Sequence, residues 1–500
     1  MSQDYLQPQL QLLLEKLKAF LFERHIDTYL VGGYVRDCLL RRATNDVDLV
    51  VNADAVELAR EIGNSFGGRF VLLDEVNQVA RVVFSFTSAE SRERWYLDLS
   101  SLRGDIQEDL ARRDFTINAM AVNLQQVFSE ANVPIIDPYG GRLDLERRAV
   151  RVVREEAFLE DPARLLRAIR FAAELGFAID EKTKALIAYH HPIIANVASE
   201  RVREEFCYIL AAPKAAHWLR YLDESGLLGV IMPELTATKG VEQPKEHFWD
   251  VFSHSLETVT AIEGLLHIEG SGEEGWIQKE ALTIVPWSSE LVQHFGEEIG
   301  GGQTRRTILK LAALLHDIAK PQCKIVEESG RIRFFGHAQE GAAIAGQILE
   351  RLRFSNREIK MVQKLIEYHL RPGQLATQGL PTRRAIYRYF RDTDDVGIDT
   401  LYLNLADHLA ARGPKLDYAT WKEHVETIEY ILQKRLDEAA TVVPPRLIDG
   451  HDLMNIFGLS PGLRIGELLE LVREAQAAGE IQTKEEALAL VEKQLTLARR

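Results

Sequence analysis

Apolar and polar positions follow a period of two in the first third of the chain and a period near 3.6 beyond it. Asp27–Gly33 (DTYLVGG) reads as a strand closed by two glycines, and Tyr34–Arg42 as a short helix. Asn45–Val51 (NDVDLVV) reads as a strand and Ala55–Phe66 as a helix. Arg69–Glu75, Ala80–Phe86 and Arg94–Ser100 are strand-like again. From about residue 155 the strand signals nearly vanish. Phe158–Phe177, Glu200–Ala212 and Ala215–Leu228 carry helical spacing, which resumes at Thr307 and runs to the end. Ile268–Arg306 is poorly patterned and reads as a loop or insertion. Met1–Glu23 reads as an amphipathic helix. The expected class is α+β: a mixed head over residues 1–155, a helical neck and body over 156–240, a helical domain over 241–435 with an insertion near 268–303, and a helical tail over 436–500.

Composition narrows the class. A chain of 500 residues, 46% hydrophobic and 27% charged, suits a globular protein of several domains. Cys38, Cys207 and Cys323 are far apart and form no CxxC pair, which argues against a disulfide framework and fits a reducing compartment. Met1–Glu23 lacks a basic start with an unbroken apolar core, so no signal peptide is read. No run of about 18 apolar residues offers a membrane span. The cytoplasm is the expected location. The net charge of −15 argues, as a sum, against nucleic-acid binding, but a local arginine stripe suffices for it.

Such a stripe exists, and it follows a pair of carboxylates. Asp46 and Asp48 lie one residue apart on a strand, hence on one face and ~7 Å from each other. Two ionised carboxylates there repel unless a divalent cation joins them, and aspartate oxygens suit Mg²⁺. Just upstream, Gly32 and Gly33 stand between strand and helix, where backbone N–H groups can approach a phosphate, with Arg36 one turn on. Asp98 shares a face with Tyr96 and offers a third carboxylate. Arg113 and Asp114 precede a run, RRDFTINAMA, with buried-helix character. They read either as a salt-bridged helix start or as groups for phosphate and for sugar or metal. DPYGG (Asp137–Gly141) is turn chemistry at which the head can pivot. In Glu160–Phe171 (EDPARLLRAIRF), Asp161 reads as an N-cap with Pro162 at the first helical position. Arg164, Arg167 and Arg170 recur every third residue beside Leu165, Leu166 and Ile169. Cations so close to a helix N-terminus oppose its dipole, which favours a functional reason for them over a merely solvated face.

Taken in order, VGGYVRD, NDVDLVV, RRDFTINAMA, DPYGG and EDPARLLRAIRF resemble the motifs of class II tRNA nucleotidyltransferases over residues 25–235. That family holds the CCA-adding, CC-adding and A-adding enzymes and bacterial poly(A) polymerases. The resemblance implies a polymerase-β-like head, Mg²⁺ held by Asp46 and Asp48, and CTP and/or ATP joined to a tRNA 3′ end. Gly33, Arg36 and Arg113 would bind phosphate and sugar, Asp161 and Arg164 would serve as an amino-acid template for the base, and Arg167 and Arg170 match further nucleotide-binding arginines. The template idea has a physical basis. Cytosine and adenine present an amine donor beside a ring-nitrogen acceptor, which a carboxylate and a guanidinium match. Uracil and guanine present the reverse and leave buried groups unpaired. Only SSLRGDIQ separates Asp98–Leu99 from Glu108, shorter than the flexible stretch usual in CCA-adding members, so CC addition is favoured over full CCA addition, then A addition or poly(A) synthesis.

The second half carries another pattern. His254, His316–Asp317 and Asp407 on helical segments resemble the ligand set of HD phosphohydrolases, and His337 and His369 match the additional histidines of many members. Imidazole with carboxylate suits Mn, Ni, Fe, Zn or Mg²⁺, often in pairs, and metal-activated water would attack a phosphomonoester or cyclic phosphodiester. Two rivals follow: an HD hydrolase whose head is a regulatory nucleotide sensor, and a non-catalytic RNA-binding protein.

Overall fold

The computed structural model describes residues 8–87, 92–127, 133–268, 276–375, 379–437 and 445–497. Outside them lie residues 1–7 of the expected N-terminal helix, 269–275 of the expected insertion, and 438–444 and 498–500 of the expected tail. The chain divides into two compact units. One comprises residues up to Val197 with Glu224–Leu227, the other Ala198–Asp223 with everything from Leu228 on.

The first unit is built on a mixed sheet, in keeping with the α+β expectation. Strands β1 (Thr28–Val31), β2 (Asp46–Val51), β3 (Arg69–Asp74), β4 (Val79–Thr87), β5 (Arg92–Ser101) and β6 (Ala121–Asn123) lie in the order β3-β4-β5-β2-β1-β6. Every neighbouring pair is antiparallel except β2 with β5. Their parallel register sets Asp46 opposite Tyr96 and Asp48 opposite Asp98. Strand β2 buries Val47 and Leu49 on one face and leaves Asp46 and Asp48 on the other. Farther along, that second face closes. Val50 packs with Val31, Leu110, Ala119 and Ala121. The carboxylates thus stand at the open end of a strand whose other end is anchored in core.

Helices α1 (Pro8–Glu23), α2 (Gly32–Leu39), α3 (Ala55–Phe66) and α4 (Ile106–Ala111) complete the head. Helix α3 shows how local signals set bounds. Asp54 caps its start by accepting from Val56 N and Glu57 N, and Gly67 ends it at φ +75°. Helix α2 begins at Gly32 itself, so both glycines belong to its first turn rather than to a loop. RRDFTINAMA is not a helix. Thr116–Asn118 forms one 3-10 turn, held by Thr116 Oγ1 donating to Asp144 (2.6 Å) and Asn118 to Asp114 (3.3 Å). The chain then turns into β6, which takes up the edge of β1. Gly140 and Gly141 are not a pivot but a close approach. Gly140 has φ +74°, and a Cβ on Gly141, the first residue of α5 (Gly141–Glu146), would stand 2.2 Å from Thr116 O.

The second unit is nearly all helix. Five of its helices carry or directly precede the residues singled out above: Val251–Leu265, Arg305–Leu315, His337–Arg351, Asn356–Tyr368 and Gly397–Arg412. The stretch read as a loop or insertion holds two short helices, Lys279–Thr283 and Ser289–Gly296, and a small ladder, Glu298–Gly300 with Gln303–Thr304. Sparse aromatic anchors rather than a periodic stripe fix it. Trp287 stacks on Phe295 (6.0 Å between centroids), which meets Tyr402 edge-on (4.9 Å). No described helix is long and apolar enough to cross a membrane.

Lys310 is wholly buried in this unit. Its ammonium donates to Glu263 (2.6 Å) and to the carbonyls of Leu210 (3.0 Å) and Ala212 (3.1 Å), so it ties a helix C-terminus to the crossing of two core helices. Glu263→Ala leaves that charge buried and under-partnered. It is expected to destabilise the unit by about 3–5 kcal/mol in chemical denaturation, whereas the apolar pair Lys310→Met with Glu263→Leu costs much less.

Candidate functional site

The turn from β1 into α2 brings backbone against carboxylate. Gly32 has φ +68°, and a Cβ there would lie 2.9 Å from both Asp48 Oδ2 and Arg113 Nη1. The Gly33 N–H bonds Asp48. Burial pushes the Asp48 carboxyl up to about 6, with Arg113 pulling it down and Asp98 and Asp46 pushing it up further. Asp46 is raised too, by burial first and then by Asp98 and Asp37, against the pull of Arg81. Asp98 is compensated differently. Arg81, across the β4–β5 pair, grips it with two bonds of 2.7 Å. Two carboxylates short of positive charge, on one face and beside a third, fit a divalent cation.

Arg36 is held by its neighbours and lies outside the lining of the cavity that opens from Arg113. Its guanidinium donates to both Asp37 oxygens (3.0 and 2.8 Å) and to Asn118 Oδ1 (2.9 Å). Arg113 stands between Asp48 and Asp109, to which it donates at 3.2 and 3.3 Å. From there a cavity of about 350 Å³ opens, lined by Arg113, Asp114, Asp161, Arg164 and Arg167. Arg112, the first residue of RRDFTINAMA, also lines it, as do Ser100, Asn77 and Arg103, which were not singled out in the linear sequence. Such a volume suits a small-molecule ligand.

Within the cavity wall the charges are ordered. Asp114 is buried and accepts two bonds from Arg167 (3.0 and 2.7 Å), with Phe115 N (2.8 Å) and Asn118 (3.3 Å) as further donors. Burial opposes its charge, but Arg167 prevails and holds its carboxyl below the usual range. Arg164 opens α7 (Arg164–Leu175), which follows α6 (Glu156–Glu160). It donates to Arg112 O (2.9 Å) and Ala157 O (3.1 Å). Asp161 is not the N-cap of α7. Its Oδ1 accepts from Ala163 N (3.2 Å), a turn contact two residues on, and Ala163 holds the capping position. Arg170 lies off the cavity lining, over the Phe171 ring (4.5 Å) and 3.8 Å from Glu174.

The second unit gathers all six of its singled-out residues. His254 Nε2 is 3.0 Å from Asp407 Oδ1, 3.4 Å from Asp317 Oδ2 and 3.2 Å from His316 Nε2. His316 Nε2 is 3.2 Å from Asp317, and His337 Nε2 is 3.5 Å from its other oxygen. His369 sits against both, 5.2 and 5.4 Å between ring centroids. The donor atoms form three overlapping triads, each within 4.8 Å. Helix ends aim them. His316 and His369 each follow the last residue of a helix, and His337 is the first of one. The Nδ1 atoms of His316, His337 and His369 face carbonyls three residues upstream at 2.6–2.8 Å, which turns each Nε2 inward.

Several of these buried atoms are unsatisfied. Asp317 Oδ1 and His337 Nε2, 3.5 Å apart, make no hydrogen bond, whereas Asp317 Oδ2 is held by Lys320 and His316. Burial works against charge on His316, yet Asp317 and Asp407 push it up to about 10, and both carboxyls lie well below their usual range. A converging nitrogen- and oxygen-donor set that keeps a proton only to balance its carboxylates fits divalent metal, which would displace that proton. A cavity of about 700 Å³ opens over it, lined by Asp317, His337, His369 and Asp407 and by Lys320, His247, Arg331 and Phe334, which drew no notice in the sequence. Lys320 Nζ reaches Asp317 at 2.5 Å.

Known families match four stretches of the chain: the poly A polymerase head domain over residues 28–151, the RNA- and SrmB-binding site of polymerase A over 176–239, the HD domain over 251–412, and tRNA nucleotidyltransferase domain 2 over 415–491. The chain is 34% identical over 473 residues to the CC-adding tRNA nucleotidyltransferase of Thermus thermophilus, covering 93% of each. It is 32% identical over 473 residues to the A-adding tRNA nucleotidyltransferase of Deinococcus radiodurans, again covering 93% of each. Its fold matches that of a Thermotoga maritima CCA-adding enzyme solved with tRNA, at a TM-score of 0.58 and 21% identity, over 98% of this chain and 96% of that one.

Proposed function

This chain belongs to the tRNA nucleotidyltransferase family, and we propose that it adds two cytidines, and not the terminal adenosine, to tRNA 3′ ends in the cytoplasm. The reaction is attack of the tRNA 3′-hydroxyl on the α-phosphate of CTP, with pyrophosphate leaving. Asp46 and Asp48 would hold Mg²⁺, which when bound would supply charge neutralisation for the transfer. Asp98, gripped by Arg81, is the third carboxylate behind that pair. Arg113, between Asp48 and the cavity, takes the triphosphate's charge. Gly33 and Arg36 serve it from the start of α2, Arg36 after giving up Asp37. Asp161 and Arg164 read the base. The Asp114–Arg167 pair and Arg170 hold the α7 side of the pocket in place. Helical segments beyond it hold the tRNA through phosphate and shape rather than base readout.

The observation that carries the reading is the meeting of Arg113, Asp161 and Arg164 in one cavity beside an under-compensated carboxylate pair. The preference for CC rests on the link between β5 and α4. Only residues 102–105 join them, and Asp105 caps α4 directly. Arg164 is bonded to the carbonyl just past α4, so a short, capped link leaves its guanidinium one setting. Transcripts ending at the discriminator base, at C and at CC, offered CTP and ATP separately and together, test this. The expected products gain two, one and no nucleotides. Addition of A to the CC transcript would overturn the restriction.

A second reading is favoured by the unsatisfied atoms of the second unit. Its six-residue cluster holds a divalent transition metal, Mn, Fe, Ni or Zn, in preference to Mg²⁺ because the donors are rich in nitrogen. Metal there supplies Lewis-acid activation for phosphoester hydrolysis. Lys320 and Arg331 draw the anionic substrate into the cavity.

A further inference from the structure

We infer that Arg154 is a positioning residue for base selection, fixing the segment that carries Asp161 and Arg164 against the C-terminal end of α4. The inference rests on the reading of Asp161 and Arg164 as the pair that inspects the base.

Arg154 is not part of the lining of the 350 Å³ cavity and is separated from Arg164 by ten positions of chain, yet both guanidiniums converge on one spot. Arg154 Nε donates to Ala111 O at 2.9 Å, and Arg164 Nη2 donates to Arg112 O at 2.9 Å. These are consecutive carbonyls at the end of α4, where backbone acceptors lose their helical partners and the helix dipole is negative. Two guanidiniums from one segment therefore occupy adjoining acceptors on another.

The same arginine also closes its own segment. Arg154 Nη2 donates to both oxygens of Glu160, at 2.6 and 2.8 Å, across α6. Glu160 Oε2 is in turn 3.7 Å from Arg164 Nη1, which donates to Ala157 O. Asp161 follows Glu160 directly. The ring Arg154–Glu160–Arg164 thus sets the distance and angle between the carboxylate and guanidinium that face the base. Backbone carries the other end: Val153 N donates to Asp114 O at 3.1 Å, and Phe115 pairs with Val152. Residues 111–114 are then a single spine. Two carbonyls hold the selecting segment, Arg113 reaches the carboxylate pair, and Asp114 holds Arg167.

A selecting pair rejects the wrong base only if its geometry is fixed, since a guanidinium free to swing can present a different edge. Displacements of about 1 Å cost on the order of 100-fold in such arrangements. Arg154 touches no ligand in this account, so its loss should degrade discrimination more than turnover.

The test uses the full chain and compares kcat/KM for CTP and UTP on tRNA ending at the discriminator base. Arg154→Met is expected to lower the CTP-to-UTP ratio at least about tenfold, chiefly through a higher KM for CTP, with the KM for tRNA within about twofold. Glu160→Gln, which keeps shape and drops the charge, should move the ratio the same way, and Arg154→Lys, which keeps one link to the carbonyl, should fall between. Simple destabilisation would lower kcat for both nucleotides and leave the ratio alone. An unchanged ratio in Arg154→Met and Glu160→Gln, beside a collapsed ratio in Arg164→Ala, overturns the positioning role and spares the base-reading pair. An unchanged ratio in Arg164→Ala overturns both.

Discussion

Asp48→Asn is expected to lower cytidine incorporation at least about a thousandfold, a loss of about 4 kcal/mol of transition-state stabilisation, and at the same time to raise the stability of the Mg²⁺-free protein. The two effects have one cause. Asp48 sits among Asp46 and Asp98 with less positive charge than it needs, and burial pushes its carboxyl up to about 6. An aspartate whose pKa is higher folded than unfolded costs stability wherever it is ionised in both states. The cost is complete above about pH 6 and vanishes below the unfolded value of about 4. Asn removes it. Allowing for the side chain's partial exposure, the gain at pH 7 is about 1–2 kcal/mol, and thermal melts in EDTA at pH 7 and pH 4 should show it only at the former. Mg²⁺ should narrow the difference by stabilising only the native Asp48 protein. Asp98→Asn makes the contrast. Arg81 already neutralises Asp98, so its substitution frees an arginine rather than relieving repulsion, and no stabilisation is expected. A destabilised Asp48→Asn at pH 7 in EDTA would contradict the charge-starved site.

These carboxylates were visible in the linear sequence because strand alternation places residues i and i+2 on one face, and DVDLVV states that alternation within six residues. The partners that hold the other charged groups of the head were less visible. Arg81 reaches Asp98 only through the antiparallel register of β4 and β5, and Asn118 reaches Arg36 across 82 positions. Neither partner is adjacent to its target, and no period marks them. The reading of Asp161 as an N-cap failed for a local reason. Asp-Pro does begin a turn, but α6 ends at Glu160 and the regular ladder starts only at Arg164, so the carboxylate serves the turn between two helices. RRDFTINAMA misled because its apolar residues are buried in and around a tight 3-10 turn that leads into β6, where polar Thr116 and Asn118 find partners that only tertiary structure supplies. In the second unit the opposite holds. The resemblance to HD phosphohydrolases nominated six candidate ligands that the structure brings together, at or beside helix ends that turn the imidazoles inward. Lys320 and Arg331 escaped notice since single cations are common in any sequence, and only the folded chain joins them to the cluster, Lys320 through Asp317 and Arg331 through the cavity.

His316→Ala is expected to empty the second unit's metal centre and abolish phosphoester hydrolysis while leaving cytidine addition within about twofold of the parent. His316 belongs to two of the three overlapping triads, so its loss breaks both at once, whereas His337 belongs to one. Tightly held metal per chain, measured by elemental analysis after dialysis against Mn²⁺ or Ni²⁺ and then metal-free buffer, should fall well below that of the parent, and hydrolysis of a chromogenic phosphodiester should drop at least about a thousandfold. The substitution also leaves Asp317 and Asp407 buried with one fewer counter-charge, so some loss of stability accompanies it. Asp407→Asn separates the two effects. It removes a ligand and a negative charge together, relieving the metal-free cluster while still weakening metal binding. Because bound metal must displace the proton that the carboxylates hold on His316, loading of the parent should strengthen as pH rises. Retention of full metal content and hydrolysis by both variants would show that the cluster is a buried charge network and not a hydrolytic centre. Loss of cytidine addition along with hydrolysis would show that the two reactions are not independent.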